Sequence, residues 1–218
     1  MIYKNNVIQL SPEWWQLKVG KISGTRFGQL ISTRDNSLLF EVANEKLNGF
    51  VLQDDFVSED MAFGTENEPI AVDKYEDISG ITFQRGGVLI SEFNKLHIAS
   101  PDGINTDLGI VVEVKCTMNG AKQLARFKNG IETDKWGQII SYFAVSDDIK
   151  AVHFVSYCPY RPEHEIVSII VTRETVVKEK TSRTPEVTVE NLAKLGRENL
   201  TIFEKELDDL ISEFILIN

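Results

Sequence analysis

The chain is short of cysteine, of glycine and proline, of basic residues and of long apolar runs. Its two cysteines, Cys116 and Cys158, cannot build a disulfide framework, a four-thiolate zinc site or an iron–sulfur cluster. With 14 glycines and 6 prolines in 218 residues, fibrous and low-complexity chains are excluded. No stretch approaches the ~18 apolar residues that a membrane-spanning helix needs. Residues 1–15 lack the basic start and apolar segment of a secretion signal, which predicts a reducing cytosol and no membrane partner. Lysine and arginine number 23 against 33 acids, a net charge of −10. That balance argues against a surface that coats polyanions indiscriminately, and it leaves room for one local basic site and for an acidic cluster that holds metal.

What is present reads as a mixed α/β chain, helical at both ends. Ser11, Pro12 and Glu13 carry the cap, first-turn proline and first-turn acid of a helix start, and Gly20 ends that turn. A second helix is predicted from Ser23 and a third after Asp35 and Asn36, stopped by Gly49. A fourth helical stretch covers Ser58 to Tyr75. Gly64 and Pro69 interrupt it, so its start is expected near Glu66. Short β-rich runs follow: 81–85, 88–91, 96–99 and 110–116. Helical spacing returns over 120–129 and 134–146, then strands over 151–157 and 165–171. After a break at Thr181 to Pro185, residues 186–215 predict one long helix, or two broken at Gly196. The length favours one domain: a mostly helical part over 1–80, a sheet core over 81–175 and a helical part over 176–218.

The chemistry concentrates in Ser100-Pro101-Asp102-Gly103 and in the strand Ile110-Val111-Val112-Glu113-Val114-Lys115-Cys116. Side chains alternate across a strand, so Glu113 and Lys115 share one face while Val112 and Val114 pack on the other. A hairpin between Asp102 and Glu113, turning through 105–109, brings the two carboxylates together. Such a pair repels unless a proton or a cation lies between them. A hard divalent ion such as Mg²⁺ suits two carboxylates and a backbone carbonyl, and it keeps several waters. A lysine beside them can orient water or face developing charge on a phosphoryl group. Ordinary turn chemistry for Asp102 and a solvated pair for Glu113 and Lys115 are the plainer readings. Two charges inside an otherwise apolar strand weigh against them.

The spacing Asp-x(10)-Glu-x-Lys resembles the PD-(D/E)XK nuclease signature, and more narrowly the phage lambda exonuclease group, the YqaJ-like viral recombinases. Three further blocks carry the resemblance: Trp14 to Thr25, Phe63 to Ala71 with Glu68, and Trp136 to Tyr142 with Gln138. The resemblance implies a restriction-endonuclease-like core, a central mixed sheet flanked by helices with a long C-terminal helix. It implies a Mg²⁺-dependent exonuclease acting on double-stranded DNA ends, 5′ to 3′, with two ions and Mn²⁺ as a substitute. Asp102, Glu113 and the Val114 carbonyl become metal ligands, Lys115 the water-orienting residue and Glu68 the helix-borne acid. Lys18, Thr25, Ser100 and Gln138 become a pocket for the 5′-phosphate. Lys18 stands where the group commonly has arginine, and a lysine cannot clasp phosphate with two parallel donors. The family also implies a homotrimer, a single-strand annealing protein as partner, and a phage or prophage origin in a bacterial cytoplasm. An endonuclease on the same core and a non-catalytic DNA-binding module are the rivals.

From the residues alone, Trp14 or Trp15 is expected to pack in the core and the other to be free to stack on a base. Lys21, Arg26 and Arg34 are candidates for DNA backbone contact. His97, His153 and His164 read as structural, and Cys116 as a buried apolar residue.

Overall fold

A computed structural model describes residues 2–32, 36–51, 58–178 and 186–217. The expected helix start at Asp35, the basic residue Arg34 and the break at Thr181 to Pro185 lie outside the described residues. The architecture is mixed α/β, as the sequence predicts, with helices at both ends and the sheet between them. Helices α1 (Pro12–Lys18), α2 (Gly24–Ser32), α3 (Ser37–Asn48) and α4 (Glu59–Ser79) precede the main strands. Helices α5 (Gly120–Asn129), α6 (Trp136–Val145) and α7 (Val189–Ile217) follow. Among the described residues no helix is long and apolar enough to cross a membrane.

Five strands form the central sheet in the order β2 (Gln84–Arg85), β5 (Gly103–Asn105), β6 (Ile110–Cys116), β7 (Ala151–Tyr157) and β8 (Ile166–Thr172). β5 and β6 are an antiparallel hairpin, β6 and β7 are parallel, and β7 and β8 are antiparallel. Parallel neighbours need a crossover, and α5 and α6 supply it. A second sheet orders β1 (Ile2–Lys4), β3 (Val88–Ile90) and β4 (Ile98–Ala99), all antiparallel. The strands β9 (Val176–Lys178) and β10 (Val187–Thr188) make a small ribbon before α7.

The alternation in β6 decides which helices cover it. Val112 and Val114 meet Ala71, Val72 and Tyr75 of α4 on one face. Val111 joins the larger core on the other face with Tyr142 and Phe143 of α6, Phe27 of α2 and Leu200 of α7. Helix α6 touches α2 along backbone: a Cβ on Gly137 would lie 2.4 Å from Gly28 Cα, and one on Gly24 would lie 3.0 Å from Gln138 Cγ. Two arginines fix the other end of α6. Arg197 of α7 donates to the carbonyls of Phe143 (2.8 Å) and Ala144 (2.9 Å), and Arg173 donates to that of Ser146 (2.8 Å). Cations suit the carbonyl-rich end of a helix.

One expectation is corrected. Helix α4 does not begin near Glu66. It runs unbroken from Glu59 through Pro69, with the Ser58 hydroxyl accepting from Met61 N at 3.2 Å. The cap at Ser58 and the apolar stripe at 71–75 outweigh the hydrogen bond that Pro69 cannot donate. Of the two readings of the tail, the single long helix holds: Gly196 does not interrupt it, and it runs for 29 residues. A Cβ there would stand 2.2 Å from the buried Phe27 ring, so the glycine lets α7 approach α2. Strands β1, β9 and β10 were not foreseen, and β5 was foreseen only as part of the hairpin.

Gly196→Ala is therefore expected to destabilise the protein by about 1–3 kcal/mol, the usual result of overfilling a packed core. Gly64→Ala, where a Cβ would meet nothing within 4 Å, is expected to gain about 0.5–1 kcal/mol. Urea unfolding of both variants checks the pair; an unchanged midpoint for Gly196→Ala would contradict the packing argument.

Candidate active site

The site begins with how β5 ends. Its pairing with β6 runs from Asn105 opposite Ile110 to Gly103 opposite Val112. Beyond that, the Val114 N–H has no strand partner on this edge, and it donates to Asp102 Oδ2 at 2.6 Å. The N–H and C=O of one strand residue face the same edge, so the Val114 carbonyl also looks toward Asp102. The next side chain on the α6 face, Glu113, is 1% exposed. It is held at both oxygens: Lys115 Nζ donates to Oε1 and the Tyr142 hydroxyl donates to Oε2 at 2.5 Å. The Lys115 side chain is partly exposed.

Glu68 lies in α4, within electrostatic reach of Asp102, Glu113 and Lys115. Burial, then Glu113 and Glu68, push the Asp102 carboxyl well above the usual carboxylate range, against the pull of Lys115. Burial and Glu113 raise that of Glu68. Burial works against the Lys115 charge, but Glu113 and Asp102 outweigh it and hold the ammonium firmly protonated. Cys116, half-buried rather than buried as expected, has its thiol pushed up to about 12 by burial and by Glu68 and Asp102, so it is no nucleophile.

The donor set fits a hard cation. Among the described residues no three His, Cys, Asp or Glu side chains are grouped as a self-sufficient metal site. Two carboxylates and a backbone carbonyl with water completing the shell match Mg²⁺, which keeps several waters, better than zinc. Glu68 and Asp102 open into a cleft of about 460 Å³ that is also lined by Pro69, Val72, Arg85 and Ile8. Another concavity, around Thr106, Gly109 and Asp148, lies at the far end of the hairpin and holds none of these groups.

The residues expected to hold a phosphate converge beside this cluster. Trp14 Nε1 donates to Ser100 Oγ at 3.0 Å, and Lys18 Nζ stands 3.9 Å from the centre of the Trp14 ring. Tyr142 links them to the acids: its hydroxyl is 3.2 Å from the Ser100 carbonyl and bonds with the Gln138 side chain. Thr25 is exposed at the start of α2, beside the Gly24 that abuts Gln138. The backbone of Ile22 ties this turn to β4, its N–H donating to Leu96 O at 2.8 Å and its carbonyl accepting from Ile98 N at 3.0 Å. Burial and the Arg26 charge bring Lys18 down to about 8, with Glu45 opposing.

Some expectations change. Trp14 is 5% exposed and Trp15 partly buried, and the adjacent rings pack edge-to-face at 4.7 Å. Trp14 thus offers its N–H to the site, not its face, since Val7, Val88 and Ile98 surround the ring. Arg26 forms a two-pronged pair with the buried Glu45, at 2.5 and 3.0 Å, and Lys21 Nζ donates to Lys95 O, so both are held by the fold. His97 is buried, stacked on Phe27, and His153 bonds Tyr75, in keeping with structural roles. The link missed from sequence is Tyr142. It lies one helical turn after Gln138, and a tyrosine tip on an otherwise apolar helix usually seeks a polar partner.

A model of the YqaJ-like viral recombinase domain matches residues 13–148. Three solved structures share the fold. LHK-Exo in complex with dAMP has a TM-score of 0.74 at 19% identity, covering 95% of this chain and 100% of that one. The alkaline exonuclease LHK-Exo from Laribacter hongkongensis gives 0.72 at 20%, with the same coverage. A phage-related exonuclease from Haemophilus somnus 129PT gives 0.56 at 15%, covering 89% and 96%. No curated protein matches by sequence.

The crowded acids have a measurable cost. The folded chain keeps the Asp102 proton at pH values where the unfolded chain has lost it, so stability falls as pH rises from the ordinary carboxylate range toward the raised folded value. Asp102→Asn keeps an oxygen for Val114 N–H and removes one charge. It is expected to be more stable than wild type by about 1 kcal/mol or more at pH 8 in EDTA, with the gain fading near pH 4. Thermal unfolding at the two pH values checks this; a less stable Asp102→Asn at pH 8 would contradict the crowding.

Proposed function

The chain belongs to the YqaJ-like viral recombinase domain family, and on that footing we propose that it is a metal-dependent exonuclease on linear double-stranded DNA. It digests one strand 5′ to 3′ and leaves a 3′ single strand for phage-type recombination. The observation that carries this reading is the meeting of Asp102, Glu113 and Lys115 where β5 stops and β6 continues. Two acids, a backbone carbonyl and a charged amine beside an open cleft form a phosphodiester-hydrolysis constellation, as in the PD-(D/E)XK pattern.

In this reading Asp102, Glu113 and the Val114 carbonyl hold Mg²⁺, two ions in all, with Mn²⁺ as a substitute. The metal lowers the proton affinity of bound water and offsets charge on the phosphate. Lys115, kept charged by its acidic neighbours, orients the attacking water and faces the negative charge that builds on the phosphoryl oxygens. Glu68 completes the acidic wall of the cleft. Lys18, Thr25, Ser100 and Gln138 receive the 5′-phosphate, and Trp14 and Tyr142 hold Ser100 in place for it. The phosphate pocket and the hydrolytic cluster share Tyr142, so binding the end sets where the scissile bond lies. The same reading extends to a single nuclease domain, a homotrimer and a single-strand annealing partner, in the cytoplasm of a bacterial host.

Digestion of end-labelled linear duplex tests the reaction. Mg²⁺ is expected to support release from 5′-labelled ends, EDTA to abolish it, and Lys115→Ala to slow it at least about 100-fold. Cleavage of covalently closed circles would favour an endonuclease instead. No metal-stimulated hydrolysis at all would favour a non-catalytic DNA-binding module.

Lys18 adds a pH signature. It is charged at pH 7 and loses its proton near 8. The preference for 5′-phosphorylated over 5′-hydroxyl ends is therefore expected to weaken as pH rises from 7 to 9, and Lys18→Arg is expected to keep it at pH 9. Competition between the two ends at both pH values measures it; a preference independent of pH in both proteins would remove Lys18 from the pocket.

A further inference from the structure

We infer that Arg126 is a positioning residue for Lys115: its buried guanidinium grips the main-chain carbonyl of that lysine and so sets where the ammonium stands. The inference deepens the reading above and rests on Lys115 acting in hydrolysis.

Helix α5 turns Lys122, Leu124, Phe127 and Lys128 outward. Its inner face carries two polar side chains one turn apart, Gln123 and Arg126, each 2% exposed. Arg126 Nη1 donates to Lys115 O at 3.0 Å and to Ser156 Oγ at 2.8 Å, and Nε donates to Glu132 Oε1 at 2.7 Å. Lys115 and Ser156 are register partners on the parallel strands β6 and β7. Gln123 completes the clasp: Oε1 accepts from Ser156 Oγ at 2.6 Å, and Nε2 donates to the carbonyls of Ser156, His164 and Glu165.

The strand end needs such a hold. On its other edge β6 loses its last β5 partner at Val112, three residues before Lys115. The edge amide at Val114 is already taken by Asp102. The main-chain carbonyl of Lys115 faces the β7 side, where Arg126 sits.

Stability is a poor explanation for this arginine. Burying a guanidinium is expensive, and apolar residues of similar volume commonly serve a core as well or better. The pair is also incompletely satisfied, because Glu132 Oε2 is buried with no hydrogen-bond partner. What an apolar side chain cannot do is donate to the Lys115 carbonyl. A displacement of 1 Å at a reacting group can lower a rate by about 100-fold.

The test compares the full chain with Arg126→Lys, Arg126→Met and Glu132→Gln, reading kcat and KM on linear duplex in Mg²⁺ together with urea stability. Arg126→Lys keeps the charge and guards against a variant that fails to fold. Both Arg126 variants are expected to lose kcat by about 30-fold or more, with KM within about 3-fold of wild type. Glu132→Gln disturbs the same buried pair but leaves the grip on Lys115. It is expected to lose stability while kcat stays within about 3-fold. Wild-type kcat in either Arg126 variant would overturn the inference. So would a kcat loss in Glu132→Gln that tracks its loss of stability as in the Arg126 variants, which marks a structural role only. Full activity in Lys115→Ala, run alongside, would instead overturn the reading of Lys115 and the inference with it.

Discussion

A single main-chain hydrogen bond, from Val114 N–H to Asp102 Oδ2, organises the site. Strand β6 outruns its neighbour β5, and the amide left at the edge must find an acceptor. A carboxylate supplied by the turn before β5 fills that need, and it is brought against Glu113 as a result. The same edge presents the Val114 carbonyl, so one backbone feature gathers three hard oxygen donors. The cost is repulsion between Asp102, Glu113 and Glu68, which Lys115 relieves only in part. A cluster that is electrostatically unfinished in the protein alone is suited to a cation and a phosphate, whose charges complete it.

From this cluster a chain of contacts leads to the residues proposed to receive the phosphate. Glu113 accepts from Tyr142; Tyr142 meets Gln138 and the Ser100 carbonyl; Ser100 accepts from Trp14; and Lys18 lies over Trp14. The spine of this chain is α6, whose position is set twice. Glycines at 24, 28 and 137 let α2 approach it closely, and Arg173 and Arg197 hold its carbonyl end. On the far side of β6, α5 reaches the same strand through Arg126. The core thus holds the proposed reacting groups from both sides, and a cleft opens at Asp102 and Glu68.

Much of this was legible in the residues, and the parts that were not share a cause. Alternation in 110–116 placed Glu113 and Lys115 on one face and Val112 and Val114 on the other, because a strand's period of two is local. The caps at Ser11 and Gly49 are local as well, and their chemistry reads directly. Pro69 misled, and Gly196 left the tail open between one helix and two, because their effects are settled by tertiary contact. A helix tolerates proline when its cap and buried stripe outweigh one lost bond, and a glycine can serve a neighbouring ring rather than a turn. Arg26 looked like a DNA contact because nothing in sequence links it to Glu45, 19 residues on, and which of Trp14 and Trp15 is buried was not legible because the covering of Trp14 by Val7 and Ile98 is long-range. Tyr142 and Arg126 were silent for the same reason: each acts through partners that only the folded sheet brings near.

The central claim is that Asp102, Glu113 and the Val114 carbonyl are one cation site. Crystals of the protein soaked in millimolar Mn²⁺ and measured for anomalous scattering test it most directly. The account predicts a peak within coordination distance of a carboxylate oxygen from Asp102, one from Glu113 and the Val114 oxygen. A peak elsewhere, with these three groups left bare, would contradict it.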